Sequence, residues 1–206
     1  MAQRKVGVWL VGAWGGVATT VVVGIMALRR GLTEPTALVS ALPPLAGLDL
    51  AGFDELVIGG HEIRETTYRA EADVLHKKSR VFSPEWWPHI EADLAAADAE
   101  VRPGTLHNVG ATIDSLAGPK TNAFRGESAG QAVTRLAADI KSFKDRLKLD
   151  RVIVVNVSST EPPVDASVKE LPWTEIDKQL STNGPCALPA STLYAIAAFR
   201  EKAAYV

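Results

Sequence analysis

The sequence predicts an α/β protein built on a doubly wound, mainly parallel sheet, and three observations carry that prediction. Short apolar runs alternate with amphipathic helical stretches over most of the chain. The first run, Val6 to Val11, is apolar on both faces, as a central parallel strand must be. A glycine-rich turn follows it at once and opens onto a helical pattern.

Each element has its own signal. Val6, Val8, Leu10 and Val11, with Gly7 and Trp9 between them, predict the buried first strand. The helix after it runs from Thr19-Thr20 through Val21 to Val23, Ile25, Met26 and Leu28, and Gly31 supplies its stop. Thr36 to Leu42 reads as a strand ended by Pro43-Pro44, and Leu56 to Ile58 as another ended by Gly59-Gly60. Glu85 to Ala99 reads as a helix capped by Ser83, with Pro84 in its first turn and Pro88 restricting where it starts. The clearest helix puts Val133, Leu136, Ala137, Ile140, Phe143 and Leu147 on one face and leads into a strand, Arg151 to Val157. Residues 162–189 are rich in proline and predict an irregular excursion over one end of the sheet. A helix over 189–203 carries Leu193, Ile196, Ala197 and Phe199, and Tyr205-Val206 begins a further strand. The whole reads as one domain, 1–206.

Composition narrows the function classes. With 206 residues, 47% of them hydrophobic, the chain can bury a substantial core. Lys and Arg total 22 against 24 Asp and Glu, so no basic surplus points to nucleic acid or an anionic membrane. The apolar stretches around Val6 to Leu28 are split by Gly12, Gly15 and Gly16 and closed by Arg29-Arg30; they read as strand, turn and helix rather than as a membrane span or a secretory signal. A single cysteine, Cys186, fits a cytoplasmic setting. His61, His76, His89 and His107 form no pair at metal-ligand spacing, so no metal is expected. No hydrolase elbow, Walker loop or paired-cysteine redox motif is present.

Three segments are candidates for ligand contact. Gly12, Ala13, Trp14, Gly15, Gly16, Val17, Ala18 and Thr19 form the glycine-rich turn, where backbone amides and a helix N-terminus can receive a pyrophosphate. The usual dinucleotide fingerprint wants a glycine where Trp14 stands, so a tight structural turn is the competing reading. Glu62 follows a strand and two glycines, which suits an acid that accepts adenosine ribose hydroxyls and disfavours a 2′-phosphate; plain surface charge is the alternative. Ser159 and Thr160 lie after the late strand, either as ribose or phosphate ligands or as a turn that satisfies its own backbone.

Taken together, four stretches resemble the myo-inositol-1-phosphate synthase family across most of the chain. These are the glycine turn ending in Thr19-Thr20; Leu42-Pro43-Pro44 through Phe53-Asp54 to Gly60-His61-Glu62-Ile63; Asp139 to Lys144 with Leu149 to Val154 and Ser159-Thr160-Glu161; and Pro189 to Ala195 through Tyr205-Val206. Two departures stand out. Many relatives carry a second glycine and paired asparagines where this chain has Trp14, Gly16 and Val17, and a Trp-Asp-Ile where it has His61-Glu62-Ile63.

The resemblance implies a Rossmann-type fold that binds NAD, within an isomerase turning glucose 6-phosphate into inositol 1-phosphate, also numbered as the 3-phosphate. In that family bound NAD oxidises C5, an enolate closes onto C1 in an aldol step, and the NADH formed reduces the C5 ketone, so the redox balance is zero. It also implies a cytoplasmic homo-oligomer, a tetramer when full length. The family's lysines lie in a later catalytic and oligomerisation domain, and none here, including Lys120 and Lys202, aligns with them. The chain is therefore expected to stop before its catalytic residues and to be inactive alone. An NAD-dependent dehydrogenase of another substrate and a non-catalytic NAD sensor are the alternatives.

Overall fold

The computed structural model describes residues 4–182 and 184–206. Its sheet holds β1 (Val6–Val11), β2 (Leu56–Glu62), β3 (Val101–Pro103), β4 (Arg151–Asn156) and β5 (Ala204–Tyr205). Every pairing is parallel and the order is β3-β2-β1-β4-β5. Chain order reverses direction between β1 and β4, which places a crevice at the carboxyl ends of the central strands.

Side chains of a strand alternate between its faces, and here both faces are covered by helices. Leu10 and Ile58 pack with α1 (Gly16–Arg29), α2 (Tyr68–Ser79) and α3 (Trp87–Asp98) around Val22, Met26, Tyr68, Ile90 and Leu94. Trp9, Val11, Val152 and Val154 face the other way. They pack chiefly on α6 (Ala129–Leu147) through Leu136, Ile140 and Phe143, with Ile113 of the single-turn helix α4 (Ala111–Asp114) set against the same cluster; a second single-turn helix, α5 (Pro119–Asn122), precedes α6. Ser128 and Gln131 close a reciprocal capping box at the start of α6, satisfying two helix-end donors. The expected apolar face from Val133 to Leu147 packs on the core as read.

Five expectations need correction. Thr36 to Leu42 is not a strand. Ala37 sits at φ 65°, single 3-10 turns occupy Val39–Ala41 and Pro43–Leu45, and Val39 and Leu42 are exposed. Two adjacent prolines remove ladder donors, so this segment crosses the surface as a connection. Gly59-Gly60 does not end β2, which runs on to Glu62. A Cβ on Gly60 would stand 2.3 Å from the Leu10 carbonyl oxygen, and one on Gly59 2.8 Å from the Phe143 ring. Both glycines therefore serve close packing inside the sheet rather than a turn.

The proline-rich excursion is more ordered than the sequence suggests. It holds α7 (Ala166–Lys169) and α8 (Trp173–Ser181), and Ile176 and Leu180 of α8 join the α6 side of the core instead of covering a sheet end. In α9 (Ala190–Arg200), Leu193, Ile196 and Ala197 are buried, whereas Phe199 is exposed with its ring set against Tyr205. The helix read as 85–99 opens as a 3-10 turn, Pro84–Trp86, before α3 begins, and Pro88 falls in the first turn where a missing amide costs nothing.

Gly60→Ala tests the close approach of β2 to β1. Forcing a methyl against a backbone carbonyl should destabilise the protein by about 1–3 kcal/mol, read as a lower urea midpoint at constant slope. An unchanged midpoint would show that the strands can part without cost.

Candidate functional site

The crevice is a cleft of about 560 Å³ at the carboxyl ends of β1, β2 and β4. The glycine turn forms its floor. Gly12 takes φ 80°, and a Cβ there would stand 2.9 Å from Ser158 Cα, so only glycine lets the turn meet the loop after β4.

Most amides of the turn are spent inside the protein. Gly12 and Ala13 donate to the His61 carbonyl at 2.9 and 3.1 Å, Gly15 to the Gly12 carbonyl at 2.9 Å, and Thr19 to the Gly15 carbonyl at 2.8 Å. Trp14 donates to Glu62 Oε2 at 2.9 Å. The amides of Gly16, Val17 and Ala18 begin α1 and have no acceptor among the described residues. They present a row of donors with the positive end of the helix dipole behind them.

Of the residues expected at the site, Gly12, Gly15, Gly16, Val17, Glu62 and Ser159 line the cleft. Ala13, Trp14, Ala18, Thr19 and Thr160 do not. Ala13, Ala18 and Thr19 are fully buried, and the Trp14 indole turns into the α1 layer, where Nε1 donates to Asp98 Oδ1 at 2.7 Å. Burial raises the Asp98 carboxyl above its usual range, although the Tyr68 amide and the Trp14 indole both donate to it.

Glu62 ends β2 and is buried. Its Oε1 accepts the amides of Ile63 (2.8 Å) and Arg64 (3.2 Å), and its Oε2 accepts the Trp14 amide and Arg64 Nη2 (3.3 Å). Arg64 also donates to the Trp14 carbonyl and pairs with Glu71 at 3.4 Å.

The start of the loop after β4 satisfies its own backbone, one of the two roles read for it. Asn156 Oδ1 accepts from the amide and hydroxyl of Ser158 at 3.1 and 2.7 Å, a turn that satisfies itself. The Ser159 hydroxyl makes no hydrogen bond to a described residue and faces the cleft. Glu161 accepts the Ser191 amide and hydroxyl at 2.9 and 2.6 Å, so it caps α9 with a built-in anion.

Residues that sequence reasoning passed over complete the walls. His61 is buried; its Nδ1 accepts the Trp9 indole N–H at 2.8 Å, and an indole can only donate. Its proton therefore sits on Nε2, 3.2 Å from Asp139 Oδ2. Desolvation holds the imidazole below its ordinary pKa, outweighing Asp139, which acts in the opposite direction. Tyr194, on α9, accepts the Thr105 amide at 2.9 Å, and burial pushes its phenol upward. The one signal for His61 was its place beside Glu62 at a strand end, pointing to the opposite face; Thr105 had none.

A neutral native His61 makes stability depend on pH with a definite sign. The unfolded imidazole takes a proton near pH 6.5 while the native one resists it, so stability is full above that value and falls as pH drops below it. A glutamine side chain here would keep an acceptor for Trp9 and a donor for Asp139 without titrating. His61→Gln should therefore show a shallower fall in Tm between pH 6.5 and about 5 than wild type; parallel acid limbs would rule out His61 as their source.

Comparison with known proteins relates the chain to one family. A family model for the NAD-binding domain of myo-inositol-1-phosphate synthase matches residues 41–206, a span that leaves out the glycine turn. Inositol-3-phosphate synthase 1 of Bacteroides thetaiotaomicron is 27% identical over 219 residues, covering 100% of this chain and 48% of that protein. The crystal structure of inositol-3-phosphate synthase from Caenorhabditis elegans superposes with a TM-score of 0.80 at 20% identity, covering 98% of this chain and 44% of the other. A myo-inositol-1-phosphate synthase-related protein from Thermotoga maritima gives a TM-score of 0.62 at 23% identity, over 98% of this chain and 47% of that one. The two structures attest the fold. The chain spans about half the length of the relatives it matches.

Proposed function

The chain belongs to the myo-inositol-1-phosphate synthase family through its NAD-binding domain, and from that membership we propose that the cleft seats NAD with its pyrophosphate on the N-terminus of α1. The observation that carries the proposal is the pair of uncommitted amides at Gly16 and Val17, opening onto the cleft at the reversal point of the sheet. The residues present fit the group. Gly12 and Gly15 keep the floor free of side chains, Ser159 offers a free hydroxyl opposite, and Val109, Ile113 and Leu116 supply apolar wall for a ring.

We place this domain in an enzyme that isomerises glucose 6-phosphate to inositol 3-phosphate. Bound NAD supplies a hydride acceptor that returns what it takes, so a carbinol can be oxidised and restored without net redox change. The chain's own residues bind and orient: α1 holds the phosphates by its amides, Glu161 fixes the mouth of the cleft by capping α9, and the buried His61 and Tyr194 keep one wall dry. The remaining chemistry needs a cation for the substrate phosphate and donors for a developing oxyanion. No lysine lines the cleft among the described residues, and Arg64 is held by Glu62, Glu71 and the Trp14 carbonyl. Those groups must come from residues outside this cleft wall.

Val17 tests the phosphate seat because it is exposed, lines the cleft and stands in the first turn of α1. Val17→Asp puts a carboxylate where helices welcome one, so folding should hold, while NAD affinity by calorimetry should fall about tenfold or more through charge repulsion. Unchanged affinity in the folded variant would move the pyrophosphate elsewhere.

A second expectation concerns turnover. Residues 1–206 alone should bind NAD yet form no inositol phosphate from labelled glucose 6-phosphate, since removing even one oxyanion donor can cost about 10²–10³ in rate. Steady product formation would show that the catalytic groups lie within this chain.

A further inference from the structure

Glu62 stands where dinucleotide folds keep the acid that reads the adenosine ribose, yet its geometry is that of a group already in use. A carboxylate offers about four acceptor positions. Here the chain itself fills them: the amides of Trp14, Ile63 and Arg64, and the guanidinium of Arg64. The residue is 6% exposed, so water does not compete for these sites. A ribose hydroxyl can reach a lone pair of Glu62 only by displacing one of these donors.

The Trp14 peptide shows what the acid does instead. Its amide is held by Glu62, its carbonyl by Arg64, and its indole by Asp98, so the turn is fastened from the end of β2 and from α3. A glycine at this place would commonly point its amide at the ligand. In this chain that amide points inward, and the donors left for a ligand at the cleft are those of Gly16 and Val17.

Resting on the reading of the cleft as an NAD site, we infer that Glu62 is a positioning residue. It locks the glycine turn in the shape that presents the α1 amides, with Arg64 as its counter-ion, and it does not read the cofactor's ribose. Selectivity between NAD and NADP is then set by something other than the Glu62 carboxylate.

Glu62→Gln is nearly isosteric but turns an NH2 group toward donors. It should weaken NAD and NADP by the same factor, about tenfold, measured by calorimetry, leaving their ratio at the wild-type value. In the unliganded protein, amides of residues 12–18 should exchange with deuterium faster. Arg64→Gln, at a partly exposed site, should reproduce both effects more weakly. A change in the NAD to NADP ratio, with exchange of the turn unaltered, would overturn the inference and restore Glu62 as a ribose ligand. If wild type binds neither dinucleotide, the NAD reading fails, while the exchange rates still decide whether Glu62 locks the turn: unaltered rates in both variants refute it.

Discussion

The structure depends on how closely β2 lies along β1 at their carboxyl ends. Their pairing runs without a break from Val6↔Leu56 to Val11↔His61, and the His61 carbonyl then accepts the next two amides of the turn. That carbonyl converts a sheet ladder into a loop without leaving a buried donor unpaired. The approach is possible only because β2 carries Gly60 opposite Leu10, where a side chain would collide with the neighbouring strand. Displacing β2 outward would break the two bonds to His61 and move Glu62 away from the Trp14 amide, so the turn and the strand pair form one unit.

Two helices aim their N-termini at the cleft, and the protein treats them differently. At α9 the carboxylate of Glu161 already answers the helix dipole through the Ser191 amide and hydroxyl. At α1 the N-cap is Gly15, with no side chain to accept a hydrogen bond and no acidic residue in the first turn. One helix end is satisfied internally and the other is left for a ligand. This contrast supports the proposed phosphate seat at α1 more strongly than the spacing of the glycines does, because the glycine pattern itself is irregular at Trp14.

The fold was legible in the sequence wherever burial repeats with a period. The Val6 to Val11 strand, the face from Val133 to Leu147 and the Arg151 to Val157 strand are long and regular, and their packing agrees with the reading. Errors fell where composition imitates an element. Thr36 to Leu42 has strand-like residues but no neighbouring strand, and Gly59-Gly60 looks like a turn although its glycines answer a steric contact that only three dimensions reveal. At the site, Gly12, Gly15 and Glu62 could be found because their residue types are unusual in position. Which of the loop's amides face outward could not, since that depends on the His61 carbonyl and the Glu62 carboxylate, which reach the turn from a strand 48 residues away in sequence.

The same alternation that builds the core also explains why His61 and Glu62 act together. Adjacent strand residues point to opposite faces. His61 enters the α6 side, between Trp9 and Asp139 and 5.5 Å from the Tyr194 ring, while Glu62 turns toward Trp14 and the start of α1. Each is a polar side chain in a buried place, and each is stable there because partners meet it: Trp9 of β1 and Asp139 of α6 for His61, and the Trp14 amide with the amides and guanidinium just after β2 for Glu62. Arg135 extends the His61 side, 3.9 Å from Asp139 and bonded to Glu127 and to the carbonyls of Pro103 and Gly104. Two neighbouring residues thus tie both helical layers to a single carbonyl, that of His61, on which the turn rests. A polar dipeptide in this position costs desolvation that apolar residues would avoid. In return the floor of the cleft is fixed from both faces of the sheet, which an apolar pair, lacking directional bonds, has no means to do.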